Sequence, residues 1–358
     1  MTVYKSLSAD DKVSTKTLLH EAIPITGTIV SGGYSEGNIQ NFTHGMFQSV
    51  YDYPYLSSSA NHIFDLTVGF HSTSSLYTDT STSNQKAKKN NVYNQMAQVL
   101  MGYDKDGEIQ RFDEDGDLAA GGSKIHEAII MPFSRLLVKD EIKKGSFEMT
   151  IGVSASYASP FNETAVIKDA GAAQSYKVNS PAGEYGILYI SNSAGSDNVS
   201  GDPDFANNKQ ACGLLYYQAG VAVLTASVFT SGLLSASCGM DASENDFEAM
   251  LTGSQISSSA DAIRHRIQNI QFNNTIELNS TVYFCRVKHN EFNYSSNPTY
   301  LSGSQIRVKN EKTDIPISYI TSIGLYSADN QLLAVGKFSE PIRKDNNIEL
   351  TFRARLDY

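Results

Sequence analysis

The 358 residues carry a formal net charge of −10; only 18% of them are charged, while 41% are apolar. The acidic balance excludes generic nucleic-acid binding, which needs a positive field facing phosphates, and the apolar share suffices for more than one buried core. Ser, Thr, Asn and Gly fill the charge deficit, so the surface reads as neutral polar and suited to packing against other subunits.

In chain order, the N-terminus Met1-Thr-Val-Tyr-Lys-Ser-Leu-Ser8 has no apolar core of a signal peptide, and no stretch approaches the roughly 18 uninterrupted apolar residues of a membrane span. Ala9-Asp10-Asp11, with Leu18 and Leu19 further on, predicts a short helix within the first twenty residues. Gly33-Tyr-Ser35-Glu-Gly37 matches the nucleophile-elbow pattern of esterases. Asn38–His44 behind it is a poor helix, and the chain lacks alternating βα units, so the match reads as chance. Lys86-Ala-Lys88-Lys89 is the only dense basic cluster and predicts a solvated loop or helix start. Ala87–Leu100 places Val92, Met96, Val99 and Leu100 at helical spacing, an amphipathic helix stopped near Gly102.

Asp104-Lys-Asp106-Gly107 and Asp113-Glu-Asp115-Gly116-Asp117 resemble calcium loops, but aligning either glycine as an EF-hand puts Gly102 or Arg111 first and Asp113 or Gly122 twelfth. Neither closes a proper loop. A looser oxygen-ligand site for Ca²⁺ or Mg²⁺ stays open beside the reading of a solvated acidic hairpin, and no metal or cofactor is assigned.

Strand signals then dominate: Phe147–Val153, Tyr185–Ile190, Leu214–Tyr217 with Val221–Leu224 around a Gln218-Ala219-Gly220 turn, Ile267–Phe272, and Thr281–Lys288. The last is apolar on both faces and predicts a central strand. A short helix is expected from Ser243 to Leu251. Ser318–Tyr326 and Leu332–Phe338 flank Ser327-Ala-Asp-Asn330 as a hairpin, which Pro341 closes. Ile348–Tyr358 alternates without a slip: Ile348, Leu350, Phe352, Ala354, Leu356 and Tyr358 on one face, Glu349, Thr351, Arg353, Arg355 and Asp357 on the other. The expected fold is mainly β with a few short helices, antiparallel sheets in sandwich-like domains with long loops. Soft boundaries near 145 and 255 divide it into an N-terminal mixed domain (1–145, with the helix 87–100 and the acidic loop 104–123), a central β domain (146–255, with the long loop 191–209) and a C-terminal antiparallel β domain (256–358).

Chemistry-bearing residues do not converge. Cys212, Cys238 and Cys285 are far apart, and Cys285 within Val282–Cys285 predicts a buried free thiol, in keeping with a reducing cytoplasm. The histidines show no metal-ligand spacing; His126 and Glu127 are neighbours that face opposite ways on a strand, and Cys285 and His289 sit about 13 Å apart by the strand rise. No catalytic residue is assigned, and no enzymatic activity is expected. Tyrosine, by contrast, is abundant at 20 residues with no Trp. Tyr51-Asp-Tyr53-Pro-Tyr55 and Asn290–Tyr300, with Phe292, Tyr294 and Tyr300, suit wet, specific interfaces, or else plug the ends of β-layers. Together with Arg353 and Arg355 they form the candidate assembly interface.

Leu18–Pro24, His44–Leu56, Phe284-Cys-Arg286, His289–Tyr300, Gly324-Leu-Tyr-Ser327, Leu332-Leu-Ala-Val335 and Arg353–Tyr358 carry a resemblance to virion structural proteins of tailed bacteriophages, particularly those of marine bacteria. The resemblance spans most of the chain and implies a particle component, in the tail or baseplate, assembled in the host cytoplasm into the virion. Its expected partners are other virion structural proteins and copies of itself in a symmetric homo-oligomer, without direct nucleic-acid or membrane contact. The alternatives are a neck or capsid-associated virion protein, or a receptor- or carbohydrate-binding tail module.

Overall fold

The computed structural model describes residues 4–24, 36–77, 84–118, 124–154, 159–192, 210–229, 251, 255–295 and 297–358. It is mainly β, with antiparallel sheets and few helices, as composition and patterning predict. Ser35, the run from Ser243 to Met250 and most of the 191–209 loop lie outside the described residues; Leu251 is helical and buried.

The chain divides into two compact units, Leu19–Ile276 and a second made of Met1–Leu18 with Glu277–Tyr358. Cuts at 145 and 255 do not separate them. The reason is strand order: segments far apart in sequence are hydrogen-bonded neighbours, and the division falls inside two strands, β1 (Lys12–Pro24) and a later 21-residue strand. The predicted N-terminal helix is only a 3-10 turn at Ala9–Asp11, held by the Ser8 amide and hydroxyl on Asp11 Oδ2 at 3.0 and 2.8 Å. The helix-start signal was sound. Val13, Ser14, Thr15 and Thr17 then favour the extended chain over a continued helix.

In the larger unit the strands are β2 (Ile39–Asn41), β3 (Gln48–Tyr51), β4 (His62–Phe70), β5 (Glu127–Pro132), β6 (Glu141–Ile142), β7 (Glu148–Gly152), β8 (Thr164–Lys168), β9 (Lys177–Ser180), β10 (Gly183–Asn192), β11 (Gln210–Tyr216), β12 (Val221–Thr225) and β13 (Ile267–Val287). The sheet order is β1-β13-β7-β8-β10-β11-β12-β5-β4-β3-β2, with β6 on β13 and β9 on β10. Ile267–Phe272 and Thr281–Lys288, read as separate strands, fall on the single β13, apart from Lys288 just past its end; the Asn-rich stretch between them is polar but stays extended.

Central β12 is buried along its whole length, and β4 and β5 nearly so, because both faces of the sheet are covered. One cover is the helix α1 (Asn84–Leu100). Its buried row is Lys89, Val92, Tyr93, Ala97 and Leu100, whereas Val99, predicted to face the core, is exposed. Val92 and Leu100 are buried as predicted and Met96 packs against the core, while Tyr93, Ala97 and Lys89, not counted as apolar anchors, complete the inward face in place of Val99. Lys89 is therefore not solvated: its Nζ donates to the Leu251 carbonyl, and burial, helped by the nearby Lys86 charge, pushes its ammonium down to about 8.

On the other side the sheet bends back on itself. Phe133, just past β5, meets Phe272 of β13 and Phe147 beside β7, with ring centroids 5.4 and 5.9 Å apart. After α2 (Arg135–Val138) and α3 (Ala172–Ser175), the helix α4 (Ile256–Arg266) buries Ile256, Ala260 and Ile263 at i, i+4 and i+7. Its last residue, Arg266, is enclosed, donating from Nη1 to the carbonyls of Gly152 and Ser154 at 3.1 and 2.9 Å. Among the described residues no helix is long and apolar enough to cross a membrane.

In the smaller unit β13 is central, flanked by β1 and by β18 (Leu350–Asp357), as its two-faced apolarity predicts. Besides the short β14 (Leu301–Ser302) and β15 (Gln305–Ile306), it contains the predicted hairpin of β16 (Ser318–Tyr326) and β17 (Leu332–Lys344). Asn330, at φ 60°, makes the turn, where the Ser327 amide donates to the Gln331 carbonyl at 2.9 Å. Pro341 does not close the unit. β17 runs through it to Lys344 because the pairing shifts between Ile320–Ile342 and Ser322–Lys337, leaving the proline in an irregular stretch that asks no N–H of it.

Candidate assembly surface

The C-terminal alternation appears on β18 as predicted: Leu350, Phe352, Ala354 and Leu356 face inward, and Thr351, Arg353, Arg355 and Asp357 face outward. Phe352 meets Phe338 of β17 at 4.8 Å between ring centroids, so the apolar faces of β18 and the hairpin oppose each other. These inward residues are only half-buried. Among the described residues of the smaller unit the buried hydrophobics are Val282, Val287 and Tyr300, whereas the continuous apolar core of the chain, from Ile39 to Phe272, belongs wholly to the larger unit.

The hairpin's other face is apolar at its turn end and polar further along, at Ser322 and Lys337. Leu333 and Val335 are 67% and 61% exposed, and Tyr326 and Leu332 stand open near them at the turn end of the hairpin, while Tyr319 is exposed at its far end, paired with Arg343. Tyr4 packs edge-on against Tyr326 at 4.9 Å. The residues of this patch were legible as the Leu332-Leu-Ala-Val335 run; that the run faces outward was not, since an apolar run in a strand usually signals burial.

Of the predicted interface residues, Tyr53, Tyr55, Phe292 and Tyr294 are exposed. Tyr51, at the end of β3, is half-buried and donates to Gln40 Oε1 at 3.0 Å, its ring 6.3 Å from that of Tyr55. Tyr51, Tyr53 and Tyr55 belong to the larger unit, and Phe292, Tyr294 and Tyr300 to the smaller. Tyr300 is a plug rather than a contact residue. It is 9% exposed, stacks edge-on with Tyr294 at 5.2 Å, and donates its hydroxyl to the Ile317 carbonyl at 2.5 Å. The buried Lys344 ammonium bridges the His289 carbonyl at 3.1 Å and Asn293 Oδ1 at 2.6 Å, which ties His289 to Asn293. Phe292 itself sits at φ 53°, a left-handed position that costs a bulky side chain strain. Arg353 projects from β18, and Arg355 Nε bonds Ser280 Oγ at 2.9 Å and Asp357 Oδ1 at 2.8 Å.

The larger unit also gathers histidines that spacing did not connect. Thr73 Oγ1 lies 2.8 Å from His71 Nδ1 and 3.1 Å from His126 Nδ1. Burial, with the charges of Arg111 and His126, pushes His71 down to about 4, so its ring is neutral at pH 7. Glu127 turns away to accept from Ser74 Oγ, as opposite facing on a strand requires. Cys285 is a half-buried free thiol and Cys212 a buried one. No family model matches the chain, and no curated protein or solved structure matches it.

Proposed function

We propose that this chain is a structural component of a tailed-phage virion, in the tail or baseplate, that binds copies of itself and neighbouring virion proteins through the unit formed by residues 1–18 and 277–358. The observation that carries the reading is the incomplete burial of that unit. A fold of about 100 residues is expected to enclose a core of its own, and this one leaves its inner rows half-open and an apolar patch at Leu332, Leu333 and Val335 in water. Such a surface is stabilised when a partner covers it. Weak charge and a Ser-, Thr- and Asn-rich exterior fit a part that works by faces and edges, and the resemblance to virion proteins supplies the setting.

Two measurements test this. Mass spectrometry of purified particles of the phage encoding the chain is expected to find it in several copies per virion, and its absence would remove the reading. Light scattering of the purified full chain is expected to give an oligomer that Leu333→Asp with Val335→Asp converts to a monomer, while the melting of the larger unit stays put. A parent chain that is already monomeric at micromolar concentration would sink self-association through this patch.

A further inference from the structure

The acidic loop between α1 and β5 brings three carboxylates together: one oxygen from each of Asp113, Asp115 and Asp117 lies within 4.8 Å of the other two. Gly116, at φ +66°, turns the chain so that alternate residues face the same point. An exposed acidic triplet would be unremarkable, since water satisfies each charge. Asp113 is different, because it is fully buried. Its Oδ2 accepts from the Lys124 ammonium and, at 2.8 Å, from the Leu118 amide. Its Oδ1 is equally shut off from solvent and has no hydrogen-bond donor among the described residues. What lies against the buried carboxylate is another acceptor, the carboxylate of Asp115. A buried carboxylate oxygen left without a donor costs about 1–3 kcal/mol or more, and a cation held among the three carboxylates turns such an oxygen into a ligand.

We propose that Asp113, Asp115 and Asp117 bind one calcium ion, through one carboxylate oxygen from each, with water completing the shell on the exposed side. All-oxygen donors select a hard cation. Calcium, with ligands at about 2.3–2.6 Å, spans oxygens up to about 5 Å apart and accepts an irregular shell, whereas magnesium demands near-octahedral geometry at about 2.0–2.1 Å. The Lys124 ammonium already offsets one of the three negative charges, so the site is a weak one, with a dissociation constant of about 10⁻⁴ M. Calcium would then brace the loop that carries Phe112, whose amide donates to the Tyr93 hydroxyl beneath α1.

Calorimetric titration of the full chain with calcium chloride tests the site. One calcium per chain is expected, with magnesium chloride at least about tenfold weaker. Asp115→Ala with Asp117→Ala, both exposed and therefore compatible with the fold, is expected to weaken calcium at least about tenfold, with an unchanged circular dichroism spectrum. Should the double variant lose its fold, Asp115→Ala alone is read the same way. Absence of calcium binding up to about ten-millimolar concentration, or binding unaltered in the folded variants, would overturn the site. Magnesium binding as tightly as calcium would overturn the assignment of the ion.

Discussion

A Gly69→Val variant is expected to unfold well before the parent chain, losing about 3 kcal/mol or more of stability in urea-induced unfolding followed by circular dichroism. Gly69 lies in β4 where α1 crosses it. A Cβ there would stand 2.7 Å from the Lys89 carbonyl oxygen and 2.8 Å from the Tyr93 amide nitrogen. Both are backbone atoms and cannot swing aside, so the helix must lift. Lifting it pulls the Tyr93 hydroxyl away from the Ile125 carbonyl at 2.6 Å and from the Phe112 amide at 3.2 Å, and it strands the buried Lys89 ammonium. Desolvated groups left without partners add to the cost of the displaced apolar contacts. Stability within about 0.5 kcal/mol of the parent would mean that α1 does not rest on the β4 backbone.

The second large effect is expected at Asp169, a buried carboxylate just past β8. Its Oδ2 accepts from the Gly145 amide at 2.6 Å and the Tyr217 hydroxyl at 3.1 Å, and its Oδ1 from the Phe147 amide at 3.0 Å. One side chain thereby joins the approach to β7, the end of β8 and the end of β11. Asp169→Ala leaves two buried donors unmatched, the Phe147 amide and the Tyr217 hydroxyl, while the Gly145 amide lies in an exposed turn where water can replace the carboxylate. The change is expected to cost about 2–4 kcal/mol, read as a lower urea midpoint. A loss under about 1 kcal/mol would show that water replaces the carboxylate.

Asp169 also sets a pH dependence. Burial pushes its carboxyl up to about 6 in spite of its three donors, against 3.8 as its ordinary value. The folded chain then holds this proton more tightly than the unfolded one, so the contribution to stability is full below about pH 4 and falls as pH rises toward 6, by about 3 kcal/mol at most. His71 acts in the opposite direction: held down to about 4 from 6.5, it favours the fold increasingly as pH rises through that interval. Asp169→Asn, which cannot lose a proton, removes the falling contribution and, because its NH2 cannot accept from a donor that the carboxylate satisfied, also lowers stability by an amount that does not change with pH. Its stability is expected to climb more steeply between pH 4 and 6 than the parent's, and parallel profiles for the two chains would refute the assignment.

Several elements could be read directly along the chain. The unbroken alternation from Ile348 to Tyr358, the turn residues Ser327–Asn330, the Gln218–Gly220 turn and the apolar spacing of α1 are local signals, and β18, the two hairpins and the helix follow them. The helix start at Ser8–Asp11 was equally local, yet it yields a single 3-10 turn, since what extends β1 is pairing with β13 from the far end of the chain. The candidate surface was half legible. Tyr53, Tyr55, Phe292 and Tyr294 are exposed as an interface requires, but Tyr300, with the same composition around it, is a plug. Nothing in a tyrosine distinguishes the two uses. The Ile317 carbonyl that captures its hydroxyl lies 17 residues away.

The amino-acid sequence alone determined that this is a β-rich, weakly charged chain with one long amphipathic helix and a strictly alternating last strand, because hydrophobic period and turn chemistry act over a few neighbouring residues. Only the tertiary structure decided that residues 1–18 belong with 277–358, that Leu333 and Val335 face water, and that Asp113 is buried while Asp115 and Asp117 are not. Each of those outcomes depends on which distant segment comes to lie against a residue, and such long-range pairing is set by the free energy of the whole fold rather than by any local pattern.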